Sequence, residues 1–593
     1  MKKPPVGISN YQKIIDEDYY YVDKTMLIKE IMESGEVVLI TRPRRFGKTL
    51  NQSMMRYFFE AQAEDTSYLF EDKKIWQEDQ YRKMQGEYPV IYLSFKDVKN
   101  RDFEISYQFI EYLVAKEFRR HKYLLDSIDD EVEKETFQKI SRREADYVTL
   151  QNSLLTLSEH LAKHYGKKVI LLVDEYDTPI IAAYNSGYYD EFIDFFKTFL
   201  SAALKDNPHL KKSTLTGITR VAKESIFSGL NNLDVATMLA PSYNDKFGLT
   251  REEVIEVVDY YGFEYEEEKI IEWYNGYNFG GREIYNPFSI INLVDHQGQI
   301  QEYWVNSSGN QLIKDLIRRS SARFKDGILK LIAGGEISAE VEEDLVFSDI
   351  DGSEDNIWTL LLFSGYLKWT EQIKRRKYKL KVPNEEVMFF YNYTIKDILE
   401  DKEIALQDMI LNLIKGEIED FKAEFKRLTK ETLSYFDTSE KKPEKFYHGL
   451  VLGMVVGLKD EYLVKSNRET GYGRADVVLI PRDSNQKGLV FEFKRYSKTK
   501  DRDLMESAQK ALEQIEREEY EADIRAHGVN EIIKVGIAFA GKKVEIKSNL
   551  DSEQSLSREE EIAQGMLEKG FNLDMIVELT KLSREEVKSL RED

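Results

Sequence analysis

Gly47, Lys48 and Thr49 close the segment RPRRFGKT at residues 42–49. A lysine and a hydroxyl directly after a glycine are what a phosphate-binding loop uses. Backbone N–H groups cradle the phosphates, the lysine reaches the β/γ-phosphates, and the hydroxyl takes a Mg²⁺ position. The pattern G-x-x-x-x-G-K-[ST] asks for glycine at its first place, and Arg42 stands there. Arg42, Pro43, Arg44, Arg45, Phe46, Gly47, Lys48 and Thr49 are thus the candidate nucleotide contacts. A second group, Asp174-Glu175, follows the apolar run VILLV. An aspartate there can hold Mg²⁺, and the adjacent glutamate can polarise the attacking water. The strand STLTGITR at 213–220 ends in polar residues, among which Thr216, Thr219 or Arg220 could sense a γ-phosphate. A third group is Asp476, Glu492 and Lys494. Two carboxylates and a lysine that converge suit a Mg²⁺-dependent phosphodiesterase.

These residues work only if the right elements present them. Val37–Ile40 predicts a buried strand before the loop, and TLNQSMMRYFF predicts a helix after it with Leu50, Met54 and Phe58 on one face. VILLV and YPVIYLSF predict further core strands, so the region alternates strand and helix as a parallel α/β sheet does. At the other end, ADVVLI and GLVFEFK predict a hairpin around the turn-like RDSNQK. Asp476 starts its first strand. Glu492 and Lys494, two apart on the second, project from the same sheet face. RDLMESAQKALEQIEREEY then predicts a helix and IIKVGIAFAG a strand, the element order of a restriction-endonuclease-like core.

The 593 residues exceed one hydrophobic core. Lys and Arg total 85 against 107 for Asp and Glu, a net charge of −22. That excludes coating nucleic acid through bulk charge but not a local basic channel. The absence of cysteine excludes disulfides, thiolate–zinc sites and cysteine nucleophiles. The N-terminus lacks the apolar core of a signal peptide, and no run of about 18 apolar residues offers a membrane span. The expectation is a cytoplasmic chain without a membrane partner.

Between about 285 and 435 the pattern is mainly helical. IWTLLLFSGYLKWTEQIKRRKYKLKVPNEEVMFF predicts helix, hairpin and helix, a winged-helix-like order. The hairpin carries Lys374, Arg375, Arg376, Lys377, Lys379 and Lys381. They could contact nucleic-acid phosphates or form a solvated or interdomain face. Glu444 or His448 could add a ligand to the C-terminal site, or simply pack. The final segment has a helix-turn-helix look, with Ser583 and Glu586 spaced as a capping box. Its acidity makes it a poor DNA reader.

YYYVDKTMLIKEI, RPRRFGKT, LLVDEYDTPI, LTGITRVAKESIFSGLNNL and WYNGYNFGGREIYNPFSI together resemble the bacterial AAA-ATPase-like family, whose own loop is R-P-R-R-F-G-K-[ST]. FYHGLVLGM, GRADVVL, FEFK and ALEQIEREEY resemble the PD-(D/E)XK nuclease-like domain that accompanies it. The resemblance implies that Tyr21, Asp23 and Lys24 lie near the adenine end, and that Gln514 and Tyr520 belong to the nuclease helix pattern.

The expected fold is α/β: a P-loop NTPase parallel sheet (1–285), a mainly helical winged-helix-like connector (286–435), an α/β restriction-endonuclease-like domain (436–550) and a short helical tail (551–593). The expected function is an ATP-binding and ATP-hydrolysing protein with a Mg²⁺-dependent DNA nuclease domain under nucleotide control. ATP contacts come from 42–49, Asp174 and Arg220, with Glu175 catalytic. Thr49 and Asp174 ligate one Mg²⁺, Asp476 and Glu492 another, with Lys494 beside them. The rival is an ATP-driven DNA-binding or signalling switch with a non-cutting nuclease-like scaffold. Self-association and the choice of an arginine finger among Arg44, Arg45 and Arg220 stay open.

Overall fold

The computed structural model describes residues 1–61, 64–219, 233–307, 310–332, 334–343, 353–400, 406–436, 461–470, 473–497, 501–540, 543–551 and 569–584, with single residues or pairs between 451 and 458, 562–563, 565–567 and Val587. The chain divides into two compact units, Met1–Thr394 and Ile395–Asp593.

In the first unit, β1 (Val37–Thr41), β2 (Val90–Ser94), β3 (Val169–Asp174), β4 (Leu210–Gly217) and β5 (Leu233–Ala236) form one parallel sheet in the order β2-β3-β4-β1-β5. β1 and β3 are buried at every position. That explains their unbroken apolar sequence, since a parallel sheet covered on both faces has no solvent side. Helix α1 (Lys48–Phe59) follows β1 and buries Met54 and Phe58. Leu50 is only partly buried. Burial of each such side chain contributes about 1.5–3 kcal/mol, which holds the loop between β1 and α1 in place. β4 ends at Gly217, so Thr216 lies within the sheet and Thr219 just beyond it.

The middle segment packs into the same unit. A short antiparallel pair, β6 (Tyr277–Phe279) and β7 (Arg282–Ile284), is followed by a three-stranded sheet of β8 (Ile337–Glu340), β9 (Lys368–Lys374) and β10 (Lys377–Lys381) in the order β8-β10-β9. Helix α2 (Glu354–Phe363) precedes the β9–β10 hairpin, and helix α3 (Glu385–Glu400) follows it. The helix–hairpin–helix order matches the winged-helix-like expectation. β8 is an added third strand.

The second unit centres on a mixed sheet in the order β11-β12-β13-β14-β15: β11 (Tyr462–Thr470), β12 (Gly473–Pro481), β13 (Gly488–Arg495), β14 (Ile532–Ala540) and β15 (Lys543–Ser548). β13 and β14 run parallel; the other neighbours are antiparallel. The parallel step requires a crossover, supplied by helix α4 (Leu504–Arg517) and the short helix Ala522–Ala526. The predicted hairpin is thus the middle of five strands, and Asp476 lies inside β12 rather than at its start. Among the described residues, no helix is long and apolar enough to cross a membrane.

Candidate functional site

The loop between β1 and α1 is shaped by two left-handed residues, Arg45 (φ 70°) and Gly47 (φ 80°). Gly47 adopts that conformation without a Cβ penalty and opens α1, whose N-terminus favours an anion. Lys48 is nearly buried, and its Nζ donates to the carbonyl oxygens of Arg42 (2.9 Å) and Pro43 (2.8 Å). Burial lowers its pKa, against the pull of Glu175, Asp177 and Asp174. The ammonium is thus parked on neutral carbonyls next to three carboxylates.

Three hydroxyls converge on Asp174 at the end of β3. Thr49 Oγ1 donates to Oδ2 at 2.9 Å, Ser94 Oγ to the same oxygen at 3.2 Å, and Thr216 Oγ1 to Oδ1 at 2.7 Å. Asp174 is fully buried, and desolvation raises its pKa. The adjacent Glu175 has φ 51°, an uncommon conformation for a side chain with Cβ, and accepts from Thr178 Oγ1 at 3.2 Å. Asp177 is buried too. Its Oδ2 accepts from the backbone N–H groups of Ile218 (2.7 Å) and Thr219 (2.9 Å), while Tyr176 donates its hydroxyl to the Thr219 carbonyl at 2.7 Å. The turn after β3 and the end of β4 are thereby one hydrogen-bonded body.

Two cavities meet across the loop, sharing Pro5, Gly47, Leu50, Pro287 and Ile291. One, of about 500 Å³, is polar, with Arg44, Arg45, Lys48, Thr49, Glu175 and Asp177 in its walls. The other, of about 90 Å³, is apolar, with Tyr20, Tyr21, Val22, Phe46, Val257 and Tyr261 among its walls. A charged end and an apolar end on either side of Gly47 suit the phosphates and the base of a nucleotide.

The residues expected from sequence fall into distinct places. Arg44, Arg45, Gly47, Lys48, Thr49 and Glu175 border the polar cavity. Arg45 lies 4.6 Å over the Phe288 ring. Phe46 faces the apolar cavity and packs on Tyr277 and Phe279 at 4.9 and 5.2 Å. Pro43 contributes its carbonyl to Lys48. Arg42 departs from the expectation of a nucleotide contact. It is fully buried, and its guanidinium donates to the carbonyls of Thr41 (2.9 Å), Ala236 (2.8 Å) and Ser242 (3.1 Å), with Phe279 beneath it at 5.0 Å. Burial lowers its pKa to about 9. It fastens the loop to the segment after β5, and borders neither cavity. Arg220, Glu444, His448 and Glu586 lie outside the described residues.

Of the residues expected near an adenine end, Tyr21 and Lys24 border the apolar cavity. Lys24 is already engaged by Glu253, at 2.6 and 2.7 Å, and by the Asp245 carbonyl. Asp23 is turned to local structure, accepting from Thr25 and from the Lys74 N–H. Ser94, Tyr176 and Asp177 were missed from sequence. The only available signal was the second acid three places after Asp174.

In the second unit, the β12–β13 ladder ends at Val477↔Phe491. Beyond it, the Asp476 carboxylate accepts from the Phe493 N–H at 2.8 Å, in place of a backbone partner. This ties Asp476 to the β13 backbone between Glu492 and Lys494. Glu492 is nearly buried and accepts from Gln514 Nε2 at 2.6 Å; Gln514 also donates to Tyr520 Oη at 3.2 Å. Glu492 pairs with Gly536 of β14, where a Cβ would come within 2.4 Å of the Ala508 carbonyl. Glycine there lets α4 approach closely enough for Gln514 to reach the carboxylate. Lys494 Nζ donates to the Lys510 carbonyl at 2.9 Å, and burial lowers its pKa against the pull of Glu492. Among the described residues, no cluster of three or more His, Asp or Glu side chains forms a metal cage.

Residues 5–227 match the family model described as "Predicted AAA-ATPase", residues 442–549 the "PD-(D/E)XK nuclease superfamily", and residues 557–592 the "Rpn/YhgA-like nuclease family, C-terminal HTH domain". An "Uncharacterized protein in vnfD 5'region" of Azotobacter chroococcum mcd 1 is 26% identical over 560 residues, covering 91% of this chain and 96% of the relative. A STAND-class signal-transduction ATPase with a tetratricopeptide repeat sensor, from Pyrococcus horikoshii, aligns at 12% identity with a TM-score of 0.21. That alignment covers 74% of this chain and 58% of the other, so the chain spans under two thirds of that structure. The chain therefore has the architecture of the AAA-ATPase-like proteins that carry a C-terminal PD-(D/E)XK nuclease-superfamily domain.

Proposed function

We propose that the chain binds and hydrolyses ATP with Mg²⁺, and that its second unit is a Mg²⁺-dependent DNA phosphodiesterase regulated by that nucleotide. The observation that carries the first part is the convergence of Thr49, Ser94 and Thr216 on Asp174, beside a polar cavity bordered by Lys48 and Glu175. An all-oxygen set with one carboxylate fits Mg²⁺, which keeps few protein ligands when phosphate oxygens complete its shell. Thr49 and Asp174 would hold it. When bound, the ion would supply positive charge to the nucleotide's phosphates. Lys48 exchanges two loop carbonyls for phosphate oxygens. Glu175, held by Thr178, orients the attacking water and takes its proton. Asp177 and Tyr176 keep the end of β4 in register with that turn.

The second part rests on the Asp476 carboxylate of β12 accepting from the Phe493 N–H, the backbone position between Glu492 and Lys494 on β13. Two carboxylates with a strand carbonyl fit a hard cation. Asp476 and Glu492 would hold Mg²⁺, and when bound the ion would supply Lewis-acid charge to the reacting phosphate. Gln514 fixes the Glu492 rotamer, and Lys494, released from the Lys510 carbonyl, neutralises a phosphate oxygen. The test is phosphate release by wild type and Glu175→Gln, run beside DNA cleavage by wild type and Lys494→Ala. Loss of each activity in its own variant supports both assignments. Phosphate release without cleavage of any DNA favours an ATP-driven binding switch on a non-cutting scaffold.

A further inference from the structure

The β9–β10 hairpin is a basic ribbon in an acidic chain. Residues 370–377 are all exposed, while Tyr378 and Leu380 are buried and anchor the ribbon from below. Its root is fixed by a reciprocal pair: Trp369 Nε1 donates to the Asn278 carbonyl at 3.1 Å, and Asn278 Nδ2 to the Trp369 carbonyl at 3.2 Å. Register sets like charges directly opposite one another, Lys377 against Lys374 and Lys381 against Lys368. Such pairs destabilise a ribbon in isolation. Acidic neighbours relieve little of this. Lys379 pairs with Glu371, and Arg376 reaches Glu342 at 3.5 Å. Among the described residues, Lys374, Arg375 and Lys377 form no ion pair. Helix α2 before the hairpin buries Ile357 through Phe363, so it is a core helix with no face left to enter a groove. The ribbon is what projects.

We infer that the β9–β10 hairpin binds the phosphate backbone of duplex DNA, with Lys374, Arg375, Arg376 and Lys377 as the contacts. This rests on the reading above that the chain acts on DNA. A two-stranded ribbon fits a major groove about 12 Å wide. Contacts from its tip to phosphates position the protein without reading sequence. With a net charge of −22 the chain gains nothing from bulk attraction, so a local patch must supply the electrostatic contact.

The experiment measures binding of the full chain to a labelled duplex in EDTA, so that neither cleavage nor nucleotide contributes, across a salt series. Wild type is compared with a fourfold variant (K374S, R375S, R376S and K377S) and with a charge-keeping variant (K374R and K377R). The expected result is at least about tenfold weaker binding by the fourfold variant at low salt, with a salt slope shallower by roughly 3.6, because each of the four phosphate contacts contributes about 0.9. The charge-keeping variant stays at wild-type affinity. ATP binding and the thermal midpoint report that the fourfold variant remains folded. Unchanged affinity and slope in that variant overturn the inference, and continued cleavage of DNA then leaves the nuclease reading standing. A wild type that neither binds nor cleaves DNA removes both. Displacement of the duplex by poly-glutamate as readily as by unlabelled duplex also overturns it, since the ribbon would then serve an acidic protein surface.

Discussion

Trp304 donates its indole N–H to the carbonyl oxygen of Arg44 at 3.1 Å, so a residue 260 positions downstream braces the loop between β1 and α1. The ring is buried and packs on Tyr277 and Tyr366. The segment around Trp304 is thus part of the frame of the loop that the proposed function gives to ATP. Replacing Trp304 with Phe removes this hydrogen bond, worth about 1 kcal/mol, while keeping an aromatic ring. ATP affinity is expected to fall roughly fivefold by calorimetric titration. An unchanged dissociation constant would show that the brace does not act on the loop.

Arg42 occupies the place where the phosphate-loop pattern has glycine, so Arg42→Gly restores the pattern. It also leaves the carbonyls of Ala236 and Ser242 buried without their donor. Each such loss costs about 1–3 kcal/mol. The variant is therefore expected to lose roughly 3 kcal/mol or more of stability in chemical denaturation, and to bind ATP no better. Tighter ATP binding at undiminished stability would contradict the role given to Arg42.

Glu386, at the start of α3, is buried and accepts from Ser289 Oγ at 2.8 Å and from the Trp304 N–H at 2.5 Å. Desolvation raises its pKa to about 7, above an ordinary value of 4.5. Between those values the folded chain holds a proton that the unfolded chain has released, so stability falls as pH rises through about 4.5 to 7. The shift corresponds to roughly 3 kcal/mol. Glu386→Gln carries no charge; its oxygen can still accept from the Trp304 backbone N–H, and its NH2 can donate to the Ser289 hydroxyl, which then accepts. Its denaturation free energy relative to wild type should therefore improve steadily across that window. A pH-independent difference between the two proteins would exclude the assignment.

In the proposed mechanism Lys48 serves binding and Glu175 hydrolysis, so their variants separate the two. Lys48→Ala should lose ATP affinity outright. Glu175→Gln should still bind ATP and hydrolyse it about 10²–10⁴-fold more slowly, the usual contribution of a positioned general base. Phosphate release at the wild-type rate from Glu175→Gln would move the base elsewhere.

Much of the candidate loop's setting was legible because its signals are local. The apolar run before the loop, the helical spacing after it and the acid pair after VILLV all lie within a few residues of the groups they position. Arg42 was not legible, because its partners Ala236 and Ser242 lie 194 and 200 positions away, and a short-range pattern assigns an arginine in such a loop to phosphate. Asp177 was hidden for the same reason: its N–H donors are 41 and 42 positions downstream. In the second unit the apolar β12, β13 and β14 were readable. The outer strands were not: β11, YLVKSNRET, and β15, KVEIKS, are rich in polar and charged residues, as edge strands often are. Missing β11 is why Asp476 was placed at a strand start.

The most direct test incubates the purified chain with Mg²⁺ and linear, circular and single-stranded DNA, with and without ATP, beside Lys48→Ala and Lys494→Ala. Cleavage that disappears in Lys494→Ala and changes with ATP or with Lys48→Ala is the predicted result. Intact DNA in every lane, with phosphate still released from ATP, would contradict the nuclease assignment and leave an ATP-driven switch in its place.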